Sequence, residues 1–124
     1  MKRPALLLAV ALLVAAPAQA RAADARTLAL AAGWKALFLC SGQLVAGLDP
    51  EMVAATELSG AYPELQPHLA GLRSETDAGT GRVRVWFSDS LPPRLAQRTA
   101  RNGCFQMPIG ATEAMIAAAP AGPA

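Results

Sequence analysis

The chain has 124 residues, with 11 Lys and Arg against 9 Asp and Glu, and an apolar fraction of 53%. A chain of this length is enough for one small domain with a modest core. The near balance of charge excludes nucleic acid as an expected partner, because that function needs a clustered basic surface.

The first twenty residues have the order of a secretory signal peptide. A positive start, Lys2-Arg3, precedes an unbroken apolar run over residues 5–16, and Ala18-Gln19-Ala20 forms a small-x-small cleavage site. As a helix the apolar run spans roughly 18 Å, short of the ~30 Å of a hydrocarbon core. We therefore predict a signal peptide over residues 1–20 that is cleaved after Ala20, with an uncleaved anchor as the alternative.

Export sets the expected compartment of the mature part. Cleavage after Ala22 or Ala23 is a further alternative. Because Lys2 and Arg3 leave with the signal, nine of the 11 basic residues remain against 9 acidic ones, and the mature part is formally neutral. High Ala and Arg content is typical of a GC-rich bacterial genome. The predicted location is periplasmic or secreted, and the membrane is a partner only through the signal before cleavage.

Two cysteines, Cys40 and Cys104, are the only ones in the chain. An even count in an exported chain predicts a structural disulfide. The pairing closes a loop of about 65 residues, for which the chain-entropy relation gives roughly 4 kcal/mol of stabilisation. The alternative is a redox or nucleophilic thiol, which would need a C-x-x-C or an activating neighbour.

Helical patterns occupy the first half of the mature part. Apolar residues at three-to-four spacing predict a helix over Leu28–Leu39, weakened at Gly33 by up to ~1 kcal/mol and ended by Gly42 as a C-terminal cap. A second helix is predicted from Pro50 to about Ser59, because Asp49 can cap it and proline suits its first position.

The next segment, Gly60 to Gly71, contains two prolines, so any helix there is short. Three leucines could pack on one side of it: Leu65, Leu69 and Leu72.

Period-two patterning then begins. In Arg82–Phe87, one face carries Val83, Val85 and Phe87 and the other carries Arg82, Arg84 and Trp86, which indicates a half-buried antiparallel strand. Residues 77–81 form a predicted turn, so residues 72–76 are its hairpin partner. Two further strands, Arg94–Thr99 and Cys104–Met107, are predicted around Asn102-Gly103, a pair that readily takes positive φ.

Together these elements predict an α+β fold, with N-terminal helices packed on a small three- or four-stranded antiparallel sheet and one disulfide joining the first helix to the last strand. The predicted organisation is a signal peptide over 1–20, an α+β segment over 21–110, and an Ala-, Pro- and Gly-rich tail or linker over 111–124.

No complete catalytic or metal-binding pattern is present in the sequence. Neither S-x-x-K nor G-x-S-x-G occurs in the mature part, and the sole histidine, His68, has no predicted partner. Glu75 and Asp77 could share a strand face, but beside a turn they are expected to be solvated. We predict no catalytic residue, no cofactor and no metal ligand.

One surface could serve binding. The residues Arg82, Arg84 and Trp86 form a predicted exposed basic and aromatic stripe, able to stack on a sugar or a base. Such a stripe more often faces solvent or a neighbouring domain.

Residues 31–50, A-A-G-W-K-A-L-F-L-C-S-G-Q-L-V-A-G-L-D-P, resemble the start of the mature chain in exported serine hydrolases of the β-lactamase and penicillin-binding-protein superfamily, near class C β-lactamases and 6-aminohexanoate-dimer hydrolases. Such chains have a helix entering a similar L-C-S-G stretch, a D-P helix start, and a later cysteine preceded by glycine, here Gly103-Cys104. The likeness covers residues 28–110.

The resemblance carries over no catalytic residue. In those hydrolases the S-x-x-K serine and lysine and a Tyr motif lie C-terminal to the matching segment. It implies a non-catalytic N-terminal portion, truncated or a fragment, that packs beside a hydrolase catalytic domain. The alternative is a stand-alone small periplasmic binding or interaction module with a structural disulfide.

Overall fold

The computed structural model describes residues 23–118, so the predicted signal peptide lies outside the described residues. The predicted α+β class is confirmed: helices pack on one four-stranded antiparallel sheet. The helices are α1 (Ala25–Leu39), α2 (Pro50–Ala55), α3 (Gln66–Leu69) and α4 (Glu113–Ala118), and the strands are β1 (Ser74–Asp77), β2 (Arg82–Val85), β3 (Arg94–Thr99) and β4 (Gly103–Gln106).

Helix α1 begins three residues earlier than the sequence predicts and ends at Leu39, as predicted. It begins at Ala25 because the carboxylate of Asp24 caps it, accepting a hydrogen bond of 2.7 Å from the Thr27 N–H. The prediction that Gly42 caps its C-terminus is wrong, since the chain continues as a π-helical turn over Cys40–Val45. Gly42 is instead a point of close approach, where a Cβ would lie 2.5 Å from Cγ2 of Val53.

The second helix starts as predicted. The Asp49 carboxylate accepts from the Met52 N–H at 2.8 Å, and Pro50 occupies the first position. The helix ends at Ala55 rather than near Ser59, and a 3₁₀ turn over Leu58–Gly60 follows.

The predicted short helix before the sheet is α3. Of the three leucines around it, Leu65 and Leu69 are buried, and Leu72 packs partly buried against the same core.

The sheet is a simple meander in the order β1-β2-β3-β4. The predicted hairpin around residues 77–81 is confirmed, with Asp77 opposite Arg82. The last hairpin closes with positive φ at Gly103 alone. Strand β2 ends at Val85, two residues before the predicted end, although the Trp86 N–H still donates to the Arg73 carbonyl at 3.0 Å.

The disulfide between Cys40 and Cys104 is formed, with their Cα atoms 6.0 Å apart. It joins the end of α1 to β4, as predicted, and Cys40 is fully buried. A disulfide of this kind persists in oxidising compartments, which supports export.

Helix α1 lies across the inner face of the sheet, and small residues make that contact. Its buried residues are Ala29, Ala31, Ala32, Gly33, Ala36 and Leu39. Val83, Val85 and Ala96 meet them from the strands. The continuous helical stretch Ala25–Val45, 21 residues, is long and apolar enough to cross a membrane by length and composition. Because it packs on the sheet, we interpret it as the core helix of the domain.

One buried cation, Arg94, sits where helix and sheet meet and is only 4% exposed. Its Nη1 donates to the Ala29 carbonyl at 2.7 Å and its Nη2 to the Met107 carbonyl at 3.0 Å, while its Nε is buried without a partner. Burial lowers the pKa of Arg94. The guanidinium lies directly against Gly33, so the glycine is a packing requirement as well as a weakness in the helix.

The C-terminal segment returns over the outer face of the sheet. The region predicted as a tail or linker after residue 110 includes α4 among its described residues. Glu113 forms ion pairs with Arg82 and Arg84 on that outer face. Leu95, which alternation also places there, is only 1% exposed.

Candidate interaction surfaces

The predicted stripe of Arg82, Arg84 and Trp86 is less exposed than the sequence pattern indicates. The side chains of Arg82 and Arg84 are 14% and 15% exposed, and Glu113 contacts both. Arg84 also pairs with Glu75 at 3.3 Å. The prediction that these arginines are exposed is therefore wrong, because carboxylates from two other elements cover them. Their role in binding a partner stays a prediction.

The ion pair between Arg84 and Glu113 shifts the pKa of both side chains. The hydrogen bond from Arg84 lowers the pKa of Glu113 below its ordinary value, and the same bond raises the pKa of Arg84. The face is thus a set of paired charges and offers little unpaired positive charge to an anionic ligand.

Trp86 belongs to a different contact. The Arg73 guanidinium lies 3.6 Å from the centre of its ring, within the range of a cation–π interaction. The two side chains border an open groove of about 560 Å³ that Phe87, Asp89 and Leu91 also line.

Within residues 23–118, no serine hydroxyl is hydrogen-bonded to a side chain that could activate it as a nucleophile. Ser59 donates to the Thr56 carbonyl, and Ser88 lies 3.2 Å from Ser90, oxygen to oxygen. No serine of this region is hydrogen-bonded to His68, which lies in the last turn of α3. The geometry of the described residues therefore offers no acyl-transfer pair.

The carboxylates considered from the sequence have structural roles. Glu75 pairs with Arg84, and Asp77 accepts hydrogen bonds from the Gly79 and Thr80 N–H groups at 2.9 and 3.1 Å, which shapes the turn. The described part of the chain holds no group of three potential metal ligands.

An apolar open surface lies on α1, opposite Ala32 and Ala36. We call it the outer stripe, and it consists of Leu30, Trp34, Leu37 and Phe38. At about 100° per residue, Ala32 and Ala36 each lie roughly 160° around the helix from Trp34. The outer stripe therefore lies roughly opposite Ala32 and Ala36 on the helix, and its members Trp34 and Phe38 are partly buried against the edge of the core.

A groove of about 430 Å³ runs along the outer stripe, and Tyr62, Leu65 and Gln106, the last residue of β4, form the rest of its wall. The Trp34 ring centre lies 4.8 Å from that of Phe38 and 5.4 Å from that of Tyr62. Leu30 and Tyr62 remain 43% and 62% exposed. The Trp34 Nε1–H is buried without a hydrogen-bond partner. The three-to-four spacing in the sequence identified this stripe but not the direction in which it faces.

Comparison with known proteins adds no family to these observations. No protein-family model, no curated protein and no solved structure matches the chain. The resemblance of residues 31–50 to serine hydrolases stays a prediction, and function is argued from the surfaces described above.

Proposed function

We propose that this chain is a non-catalytic, periplasmic N-terminal portion of a β-lactamase-related serine hydrolase, and that it packs against the catalytic domain through the outer stripe of α1. The proposal joins the resemblance of residues 28–110 to the apolar surface that the fold leaves open. The chain itself supplies no acyl nucleophile in this proposal.

The observation that carries the proposal is the orientation of α1. A helix that is apolar all round is normally buried on all sides. Here the sheet covers the alanine side, and the segment around Tyr62 covers only part of the outer stripe. A catalytic domain seated on this stripe would bury Leu30 and Tyr62, the most exposed members of the groove.

The chemistry of the groove also suits a protein partner. Tryptophan and tyrosine are enriched at the centre of protein interfaces, and here Tyr62 is exposed and Trp34 is half-buried. The orphan Nε1–H of Trp34 would gain a hydrogen bond if a carbonyl group of the partner reached it after a small ring movement.

The alternative function is a stand-alone binding module. Its predicted stripe, Arg82 with Arg84 and Trp86, is largely occupied by Glu113, Glu75 and Arg73 within the chain. That occupation is the reason to favour the outer stripe as the interface.

The test is direct binding to a hydrolase domain. The mature, oxidised chain is titrated by calorimetry into a class C β-lactamase-type catalytic domain that lacks its own segment equivalent to residues 28–110. We expect saturable binding, weakened at least tenfold by Leu30→Glu, because the new carboxylate would be buried without a partner.

The matched control is Met52→Glu, since Met52 is 47% exposed on α2, away from the groove. This variant should bind like the wild type. Equal loss in both variants, or no binding by the wild type, would contradict the proposed interface.

A further inference from the structure

A second pocket lies beside Lys35, away from the outer stripe, between α1, α2, α3 and the start of β1. Its volume is about 370 Å³, at the small end of the range typical of ligand sites. Most of its wall is apolar, formed by Leu39, Pro50, Ala54, Leu58, Leu69 and Ala70. The proposed packing function does not use this pocket.

The ammonium of Lys35 is the one charged group in the pocket wall. Its Nζ donates to the Leu69 carbonyl at 2.8 Å and to the Leu72 carbonyl at 2.6 Å. An ammonium has three N–H donors, so one donor remains after these two bonds.

Lys35 also lacks a counter-charge. The ion pairs of the described residues are all formed by Arg82 and Arg84, and no carboxylate lies within 4.0 Å of the Lys35 ammonium. Burial lowers the pKa of Lys35, as expected for a cation withdrawn from water without a partner. A half-buried, unpaired cation of this kind favours an anion beside it.

Two other polar side chains line the pocket, Gln66 and Ser74, and only Ser74 has a hydrogen-bonding group without a partner among the described residues. The Gln66 amide is fully engaged, since its oxygen accepts from the Ala61 N–H and its nitrogen donates to the Leu58 carbonyl. Ser74 also lines the pocket, and its hydroxyl forms no hydrogen bond within the described residues. Lys35 and Ser74 therefore provide the available donors.

We propose that this pocket binds the carboxylate of a small apolar acid, with the anion on the Lys35 ammonium and the Ser74 hydroxyl and the hydrocarbon part against Leu39, Leu58 and Leu69. A charge-assisted hydrogen bond to the ammonium would hold the carboxylate end. The neutral, apolar remainder of the pocket would select against hydrophilic anions.

The test uses the mature, disulfide-bonded chain labelled with nitrogen-15. Octanoate is titrated below its micelle concentration while amide shifts are followed, with neutral octanamide as the second ligand. We expect saturable shifts at Leu39, Ala54, Leu69 and Ser74, and at least tenfold weaker binding of octanamide, because its neutral amide cannot form the charge-assisted hydrogen bond to the Lys35 ammonium. A short peptide with C-terminal leucine forms a separate arm, and preferential binding of that peptide would assign the same carboxylate site to a protein terminus.

Two variants separate the site from the fold. Lys35→Met should weaken octanoate binding at least tenfold, and Arg73→Met, which removes an exposed cation outside the pocket, should not change it. Because Lys35→Met also removes two internal hydrogen bonds, Ala54→Phe is the second variant. Ala54 is exposed at the pocket wall, so a phenylalanine there fills the space without entering the core.

The proposal is overturned if Lys35→Met or Ala54→Phe binds octanoate as the wild type does. It is also overturned if the shifts centre on Leu30 and Trp34, since that pattern would show general adsorption to the outer stripe, or if neither octanoate nor the peptide binds.

Discussion

Replacing Gly33 with alanine has two opposite effects on the free energy of unfolding, a gain in helix propensity and a steric overlap with Arg94. Alanine is a better helix former than glycine by up to ~1 kcal/mol, so propensity alone predicts a gain in stability. In the structure, however, a Cβ at this position would lie 2.1 Å from Nε2 of Gln106, 2.6 Å from Nη1 of Arg94 and 2.8 Å from its Cζ. Gln106 is exposed and can move aside, but Arg94 is buried and held by two carbonyl groups.

The packing effect should win. Overfilling a packed contact costs about 1–3 kcal/mol, and a lost hydrogen bond from the Arg94 guanidinium costs about 1.5–3 kcal/mol. After subtraction of the propensity gain, we expect Gly33→Ala to lower the free energy of unfolding by about 1.5–5 kcal/mol. The assay is urea denaturation of the oxidised mature chain, followed by circular dichroism.

The matched control is Gly60→Ala. Nothing lies within 4 Å of a Cβ built at Gly60, and its φ is not positive. This variant should stay within about 0.5 kcal/mol of the wild type. If Gly33→Ala is as stable as Gly60→Ala, the close approach of Arg94 to α1 does not exist as described.

Three further predictions concern the disulfide, the ion pairs of Glu113 and removal of the signal peptide. Replacing both Cys40 and Cys104 with serine should lower the free energy of unfolding by about 4 kcal/mol for this loop length; a change below about 1 kcal/mol in denaturation would argue against a structural role. Glu113→Gln should cost less than about 1 kcal/mol at pH 7, because the Glu113 side chain is 44% exposed and solvent screens its ion pairs. Since the folded-state pKa of Glu113 lies below its ordinary value, its stabilisation exists above that ordinary pKa and is lost as pH falls through the folded pKa; a wild-type–variant difference that is unchanged between neutral and strongly acidic pH would refute this. The intact mass of periplasmic protein should lack residues 1–20, and a mass that retains them would disprove cleavage.

Local sequence signals predicted much of the fold. The alternation of Val83 and Val85 with polar residues fixed a strand and its buried face, and Asp49-Pro50 marked a helix start by capping chemistry alone. The cysteine count in an exported chain was enough to pair Cys40 with Cys104. Each of these inferences depends on neighbours in sequence or on a single possible partner.

Features that depend on distant contacts were not predictable. Glu113, 29 residues from Arg84 in the sequence, covers that arginine, and no local sequence pattern predicts the contact. A glycine after a predicted helix is typical of a helix C-terminal cap, but Gly42 instead lies where the chain packs closely against Val53. The outer stripe and the Lys35 pocket both require knowledge of which side of α1 meets the sheet, which periodicity in a helix rich in alanine does not define.

The proposed function is that of a non-catalytic segment that packs on the catalytic domain of a serine hydrolase. Its most direct test is hydrolysis of a chromogenic cephalosporin and of a nitrophenyl ester by a class C-type catalytic domain lacking the segment equivalent to residues 28–110, with and without the mature chain. We predict no hydrolysis by the chain alone and a saturable rise in the domain's activity when the chain is added. Hydrolysis by the chain alone that is abolished by substitution of one of its serines would contradict the account.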